Sequence, residues 1–255
     1  PAEDLPLDNW FAAMNECDVM IGGRPQFEAG LEIDTNNDEP RDIINEMNKA
    51  SFDEMSTTAG VFRVRVGAPA APVMLLTDAD FVITEGSDRT LFPSLNNTRN
   101  AITGTYVSPV DVWEERSAEP ITNATWESED GDRRLWSNVN FRAVSNNSQA
   151  QQIMQSLIND DRRFISHRMT LPPSYAQLEV LDTIEYSSDK FGYENKLFEV
   201  VKVEDRPDTL QQVVEVRERE QTDSAWSADD DLPVPLARNA FVPPPSLDIV
   251  GFNVA

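Results

Sequence analysis

The chain has 255 residues, 40% of them hydrophobic, which is enough apolar material for one large or two ordinary domains. Its 45 acidic residues against 21 basic ones leave a net charge of −24, which argues against a nucleic-acid-binding protein because phosphate recognition depends on clustered Lys and Arg. No apolar run approaches the roughly eighteen residues of a membrane span, and a single cysteine, Cys17, excludes an internal disulfide or a cysteine zinc cluster.

The start at Pro1, with no charged-then-apolar signal segment behind it, is expected of a processed or partial chain. An amphipathic helix is predicted over Leu7–Cys17, burying Cys17 as a small apolar group. A turn at Gly22–Gly23 and a strand near Phe27–Ile33 follow. The run Asp34-Thr35-Asn36-Asn37-Asp38-Glu39-Pro40 predicts a helix start with an acidic cap and Pro in the first turn. Ile43, Ile44 and Met47 then give that helix one apolar face. Phe62, Val64 and Val66 alternate with Arg63 and Arg65 as a strand, expected to pair back onto Val73–Leu76 across the turn at Gly67–Pro72. Residues 1–92 thus read as a mixed helix-and-hairpin domain.

From 93 to 240 the pattern turns to strands: Ala101–Val107, Trp136–Val144, Met169–Leu171, Leu197–Val203 and Val213–Val216. One helix interrupts them, over 148–165. Ser148 and Gln151 have capping-box spacing at its start, and Ala150, Ile153, Met154, Leu157 and Ile158 form its stripe. Asp160-Asp161-Arg162-Arg163 is expected to face water. Residues 241–255 carry Pro243, Pro244 and Pro245 and read as an extended linker. The alternation at Ile249–Val254 reads as the start of a further domain. The fold class is α+β, predominantly β.

The order of these features resembles the central tail hub, or tail tip attachment (host-specificity), family of long-tailed phages and gene transfer agents. The resemblance rests on Ile33-Asp34-Thr35 before the Pro-led helix, Gly60-Val61-Phe62-Arg63-Val64 and Leu76-Thr77-Asp78-Ala79-Asp80-Phe81. It continues through Leu95-Asn96-Asn97-Thr98-Arg99, Gly104-Thr105-Tyr106-Val107-Ser108-Pro109, the Gln-rich helix at Ser148–Leu157, Leu181-Asp182-Thr183-Ile184 and Lys196-Leu197-Phe198-Glu199-Val200. Each motif is short, and their order and spacing along nearly the whole chain carry the likeness. Leu181 stands where the family has glycine before Asp182, which bears on a local turn. Glu199 stands where it has a basic residue, which bears on a surface contact.

The resemblance implies β-barrel-like hub domains and a homotrimer closing the distal end of a tail tube at the virion's tail tip. DNA would leave through its axial channel without specific binding. The implied partners are distal tail and tail-tube proteins, the tape-measure protein, and downstream fibre or receptor-binding domains. A receptor- or glycan-binding adhesin module is the alternative, and a cell-wall hydrolase a further one.

The residues nominate no catalytic, cofactor-binding or metal group. Glu114-Glu115, Glu127 with Glu129, and Asp78 with Asp80 are the acidic pairs a glycosidase could use, but such pairs arise freely in so acidic a chain. The one histidine, His167, alternates with Met169 and Leu171 and reads as a satisfied structural residue. Asp34–Asp38 has the opening spacing of a calcium loop, yet Glu39 stands where the loop needs glycine and Asn45 where it needs a bidentate acid. Trp10, Trp113, Trp126, Trp136 and Trp226 are spread along the chain, as expected of core or interface packing rather than sugar stacking.

Overall fold

A computed structural model of the chain describes residues 5–34, 36–58, 60–92 and 98–233. The proline-rich stretch at 241–255 lies outside the described residues, as do Thr35 and Leu95-Asn96-Asn97.

Helix α1 spans Leu7–Cys17, as its spacing predicts. A small hairpin follows, β1 (Met20–Ile21) and β2 (Arg24–Pro25), turning through Gly22 and Gly23 at φ 58° and 85°. The strand expected near Phe27–Ile33 does not form, because its backbone is held from the side by a helix far along the chain. Helix α2 (Pro40–Ser51) begins at Pro40, whose missing N–H costs nothing there. Its expected apolar face is not covered: Ile44 and Met47 are exposed, and only Ala50 is buried.

Strands β3 (Asp53–Thr58) and β4 (Val61–Val66) pair antiparallel, Asp53 opposite Val66. This replaces the expected pairing of β4 with Val73–Leu76. The β3 run has Met55 as its only apolar residue and carries no alternation to read. Strand β5 (Met74–Thr77) instead pairs in parallel with a strand at Thr183–Ser188. After β6 (Asp88–Thr90) come β7 (Ala101–Ser108), β8 (Glu114–Ser117), β9 (Ile121–Thr122), α3 (Ala124–Glu129) and β10 (Trp136–Phe141). Their sheet runs β10-β7-β8, with β9 also on β7.

Helix α4 runs Asn147–Asp161, so it stops short of 165, and its cap is Asn146, whose side chain accepts from Ser148 N. The expected Ser148–Gln151 box is absent because both side chains bond to other segments. Its stripe packs as predicted, with Ala150, Ile153, Met154 and Ile158 buried. A Cβ at Gly104 of β7 would lie 2.6 Å from Met154 Sδ and 3.1 Å from a Phe141 ring carbon. Glycine there lets the helix approach the sheet.

Strands β11 (Ser166–Leu171), β12 (Thr183–Ser188), β13 (Tyr193–Arg206) and β14 (Gln211–Glu218) complete a sheet of six, ordered β5-β12-β13-β14-β11-β6. Its ends β5 and β6 do not meet. Among the described residues the sheets are open, so the expected barrel-like closure is not there, although strand at 35% does outweigh helix at 26%. Two apolar cores result. One gathers Val64 and Val66 of β4, Ile102 and Tyr106 of β7, Phe141 of β10 and the α4 stripe. The other fills one face of the large sheet with Leu76, Leu171, Ile184, Tyr186, Phe198 and Val214.

Candidate functional site

What positions the chain's segments relative to one another is polar. Four side chains of α4, Gln149, Gln151, Gln152 and Ser156, are buried although none is apolar. Gln149 pairs with the Glu28 backbone, its Nε2 donating to Glu28 O at 2.8 Å and its Oε1 accepting from Glu28 N at 3.2 Å. The same Nε2 donates to Ala50 O at 2.7 Å. Gln151 repeats the device, donating to Leu232 O at 3.1 Å and accepting from Leu232 N at 2.8 Å. Ser148 donates to Asp231, and Arg24 donates to Ser148 Oγ at 3.0 Å. A buried amide must be satisfied or it costs about 1–3 kcal/mol, so Gln149 and Gln151 each make their backbone partner obligatory. The segment before α2, the end of α2 and the departing chain at 231–232 are thereby fixed to one helix end.

A buried ionic seam joins the β3–β4 hairpin, α4 and the large sheet. Arg65 Nε lies 2.6 Å from Glu199 Oε2, an ion-pair contact outside hydrogen-bond geometry. Arg65 also reaches Glu54 at 3.2 Å. Arg219 donates to Glu199 Oε1 at 2.9 Å, lies 3.2 Å from Glu54, and pairs closely with Asp160. Arg217 lies 2.9 Å from the other Asp160 oxygen. Burial disfavours the Arg219 charge, but Asp160, Glu199 and Glu54 outweigh it and hold its pKa above the usual guanidinium value. Two expectations are corrected here. Glu199 is not a surface residue but is buried between two guanidinium groups. Of the run Asp160–Arg163 only Asp161 is exposed as expected: Asp160 is in the seam, Arg162 Nη1 donates to Asp130 at 2.8 Å, and Arg163 Nε donates to Asp223 at 2.6 Å.

The other predicted candidates are scattered. Asp78 follows β5 and accepts from the hydroxyls of Tyr186 at 2.7 Å and Ser188 at 3.0 Å. Burial pushes its carboxyl up, but these bonds outweigh it and leave it below the usual range. Asp80 accepts from Thr77 N at 2.7 Å and Tyr175 Oη at 2.5 Å, with the same result. Glu127 takes Arg134 on both oxygens, at 2.7 and 3.0 Å, and Glu129 pairs with Arg162 at 3.2 Å. Glu114 and Glu115 are exposed on β8, adjacent residues on opposite faces. Asp34 accepts from Asn36 N at 3.0 Å and Asn37 Nδ2 at 2.6 Å, closing a turn. Among the described residues no group of three or more His, Cys, Asp or Glu could hold a metal ion, and no helix is long and apolar enough to cross a membrane.

His167 is buried in a cage of rings, with Tyr186, Phe191, Tyr193 and Phe198 all within 5.8 Å between centroids. Its Nε2 lies 3.1 Å from Tyr193 Oη. Burial, with Arg89 and Lys196 nearby, pushes its pKa down to about 4. Cys17 is half-buried against the first core, and burial with Asp53 beside it pushes the thiol up to about 11. Trp10 and Trp126 pack on that core, Arg134 lies over Trp136, Trp226 Nε1 donates to Asp231, and Trp113 projects into solvent.

Sequence reasoning missed Gln149, Gln151, Arg65 and Glu199. The one available signal was a charge inside an apolar strand run, Val64-Arg65-Val66 and Phe198-Glu199-Val200.

Among solved structures, a chain of the virion of a native gene transfer agent (GTA) particle is similar, with TM-score 0.62 and 20% identity, covering 87% of this chain and 47% of that one. A tail protein from Neisseria meningitidis MC58 matches with TM-score 0.50 and 14% identity, covering 78% of this chain and 60% of that one. At these identities the likeness is one of fold. This chain spans about half the length of the gene transfer agent chain and less than two thirds of the Neisseria one. No curated protein sequence matches it. The family described as "Putative phage tail protein" matches residues 39–203, from the start of α2 into β13. Arg65, Gln149, Asp160 and Glu199 lie inside that span while Glu28, Arg217 and Arg219 lie outside it, and the chain belongs to this phage tail protein family.

Proposed function

We propose that the chain is the inner body of a homotrimeric hub that closes the distal end of a phage-type tail tube and surrounds an axial channel for DNA. The observation that carries this reading is the uncovered apolar surface of α1 and α2. Leu7, Phe11 and Met14 on one helix and Ile44 and Met47 on the other are exposed. A lone soluble chain rarely leaves such a surface open, and an assembled tail component covers it. The net charge of −24 supports the channel, since the seam and the α3–α4 pairs consume cations internally and leave the surface acidic. A wall of that sign passes DNA without holding it.

The work of this body is geometric, with no catalytic group. The clasp at Gln151 holds the chain at Leu232, ahead of the receptor-binding domains that this reading places in a longer protein. Tail-tube, distal tail and tape-measure proteins are its neighbours in this reading. Image reconstruction of assembled tails with a labelled copy of this chain tests it. Density for three copies around the axis at the distal end is expected. Density along the shaft, or one copy at the tip, overturns the hub.

A further inference from the structure

We infer that the cleft between the edge strand β6 and the loop 78–87 binds a carboxylate carried on an apolar body, with Arg89 as its anchor. The site is built from this chain's own residues and stands whether or not copies of the chain assemble.

Arg89 lies on β6 directly opposite His167 of β11, so the two side chains share one face of the large sheet. Met169 and Leu171 follow His167 on that face, which carries the second core. The Arg89 Cζ stands 4.4 Å from the centroid of the Phe191 ring and 5.4 Å from that of Tyr193. Rings cover a guanidinium face, but its N–H groups point outward in the plane and still need acceptors. Arg89 Nε is buried with no hydrogen-bond partner, and among the described residues no carboxylate pairs with this side chain. Arg65 and Arg219, by contrast, both hold Glu199. A guanidinium withdrawn from water in this way costs free energy until an anion reaches it.

The cleft has a volume of about 480 Å³, and Phe81, Val82, Ile83, Met169 and Phe191 form its apolar wall. Its carboxylates are already committed. Asp78 takes the hydroxyls of Tyr186 and Ser188 and lies close to Lys190. Glu85 takes Arg206 at 3.1 Å. Asp88 is opposite Arg168 in register, so both belong to the other face of the sheet, where Arg168 meets Glu215 at 3.5 Å. What remains at the β6 end is the Arg89 charge. Ile83 stands at the lip, 90% exposed, where an apolar ligand body would cover it. One cation beside an apolar wall suits one carboxylate on an apolar body, either a small organic acid or the end of a peptide chain. A polyanion such as DNA is disfavoured by the net charge of −24.

The chain has one histidine, and it lines this cleft, so the His167 imidazole resonances report on the site by nuclear magnetic resonance. Titrating the full chain with hydrocinnamate near neutral pH should shift them to saturation. Hydrocinnamide, alike in shape but uncharged, should bind at least about tenfold more weakly, as should hydrocinnamate to Arg89→Gln. Ile83→Ser should weaken binding severalfold, and because that side chain stands in water the variant keeps the test decisive if Arg89→Gln fails to fold by circular dichroism. A short peptide ending in a free Phe carboxylate separates the two sources. Tighter binding than hydrocinnamate assigns the site to a chain end, and weaker binding to a small acid. No saturable shift with hydrocinnamate overturns the proposal, as does an equal response to the amide or unchanged binding in the folded variants. An equal response to inorganic phosphate also overturns it, since the apolar wall then contributes nothing.

Discussion

Asn9 of α1 occupies both backbone hydrogen-bonding positions of Val64 on the outer edge of β4, donating to Val64 O and accepting from Val64 N at 2.9 Å each. Trp10 Nε1 donates to Phe62 O beside it, also at 2.9 Å. The two side chains replace a third strand on the β3–β4 hairpin. An open edge is a template for pairing with other chains, so α1 both packs the hairpin and blocks it. Asn9→Ala should lower unfolding stability by about 2 kcal/mol, since it strands two backbone groups. It should also raise aggregation on heating. Urea unfolding and turbidity measure the two effects, and an unchanged aggregation temperature would remove the edge-blocking role.

The seam makes a second prediction. Glu199→Ala removes the shared anion of Arg65 and Arg219 and leaves two buried guanidinium groups facing each other. The cost should be about 3–5 kcal/mol, in the range of a broken buried pair. Replacing Glu199, Arg65 and Arg219 together by apolar residues should cost less than Glu199→Ala alone. Equilibrium denaturation of the two variants decides it, and the reverse order would mean that the pairs of Arg65 and Arg219 with Glu54 and Asp160 are net stabilising on their own.

Leu181 stands at φ 76°, in the left-handed region, with its side chain buried. That is why the family's glycine is at home before Asp182. Alanine normally exceeds glycine in stability by roughly 0.5–1 kcal/mol, but here the backbone reverses the order. Leu181→Gly should be more stable than Leu181→Ala by about 1 kcal/mol, both below wild type because the buried side chain is lost. Thermal melts of the pair give the sign.

His167 supplies a pH dependence. Its folded pKa of about 4 lies below the ordinary 6.5, so between these values the unfolded chain binds the extra proton. Stability therefore falls as pH drops from 6.5 toward 4, by up to roughly 3 kcal/mol from this residue. His167→Gln should flatten that part of the profile. Carboxylates titrate in the lower half of the window, so the wild-type minus variant difference is the quantity to follow by denaturation. A difference constant with pH would mean His167 is not buried neutral.

Local pattern determined much of this protein. The Leu7–Cys17 helix, the Pro40 start of α2, the apolar stripe of α4 and the strands β7, β10, β11, β13 and β14 all follow from periodicity and capping chemistry, which act over a few residues. The ordered motifs that resemble a tail family are of the same kind, and all but Ile33-Asp34-Thr35 fall within the span of 39–203 that the phage tail protein family matches. Tertiary structure alone decided the partners. Polar β3, not Val73–Leu76, pairs with β4, and β5 travels to β12, because strand pairing depends on which edges are free after folding. Glu199 and Gln149 look like surface residues in sequence, since solvation is their default. They are buried because Arg65, Arg219 and the Glu28 backbone, brought from distant positions, satisfy them.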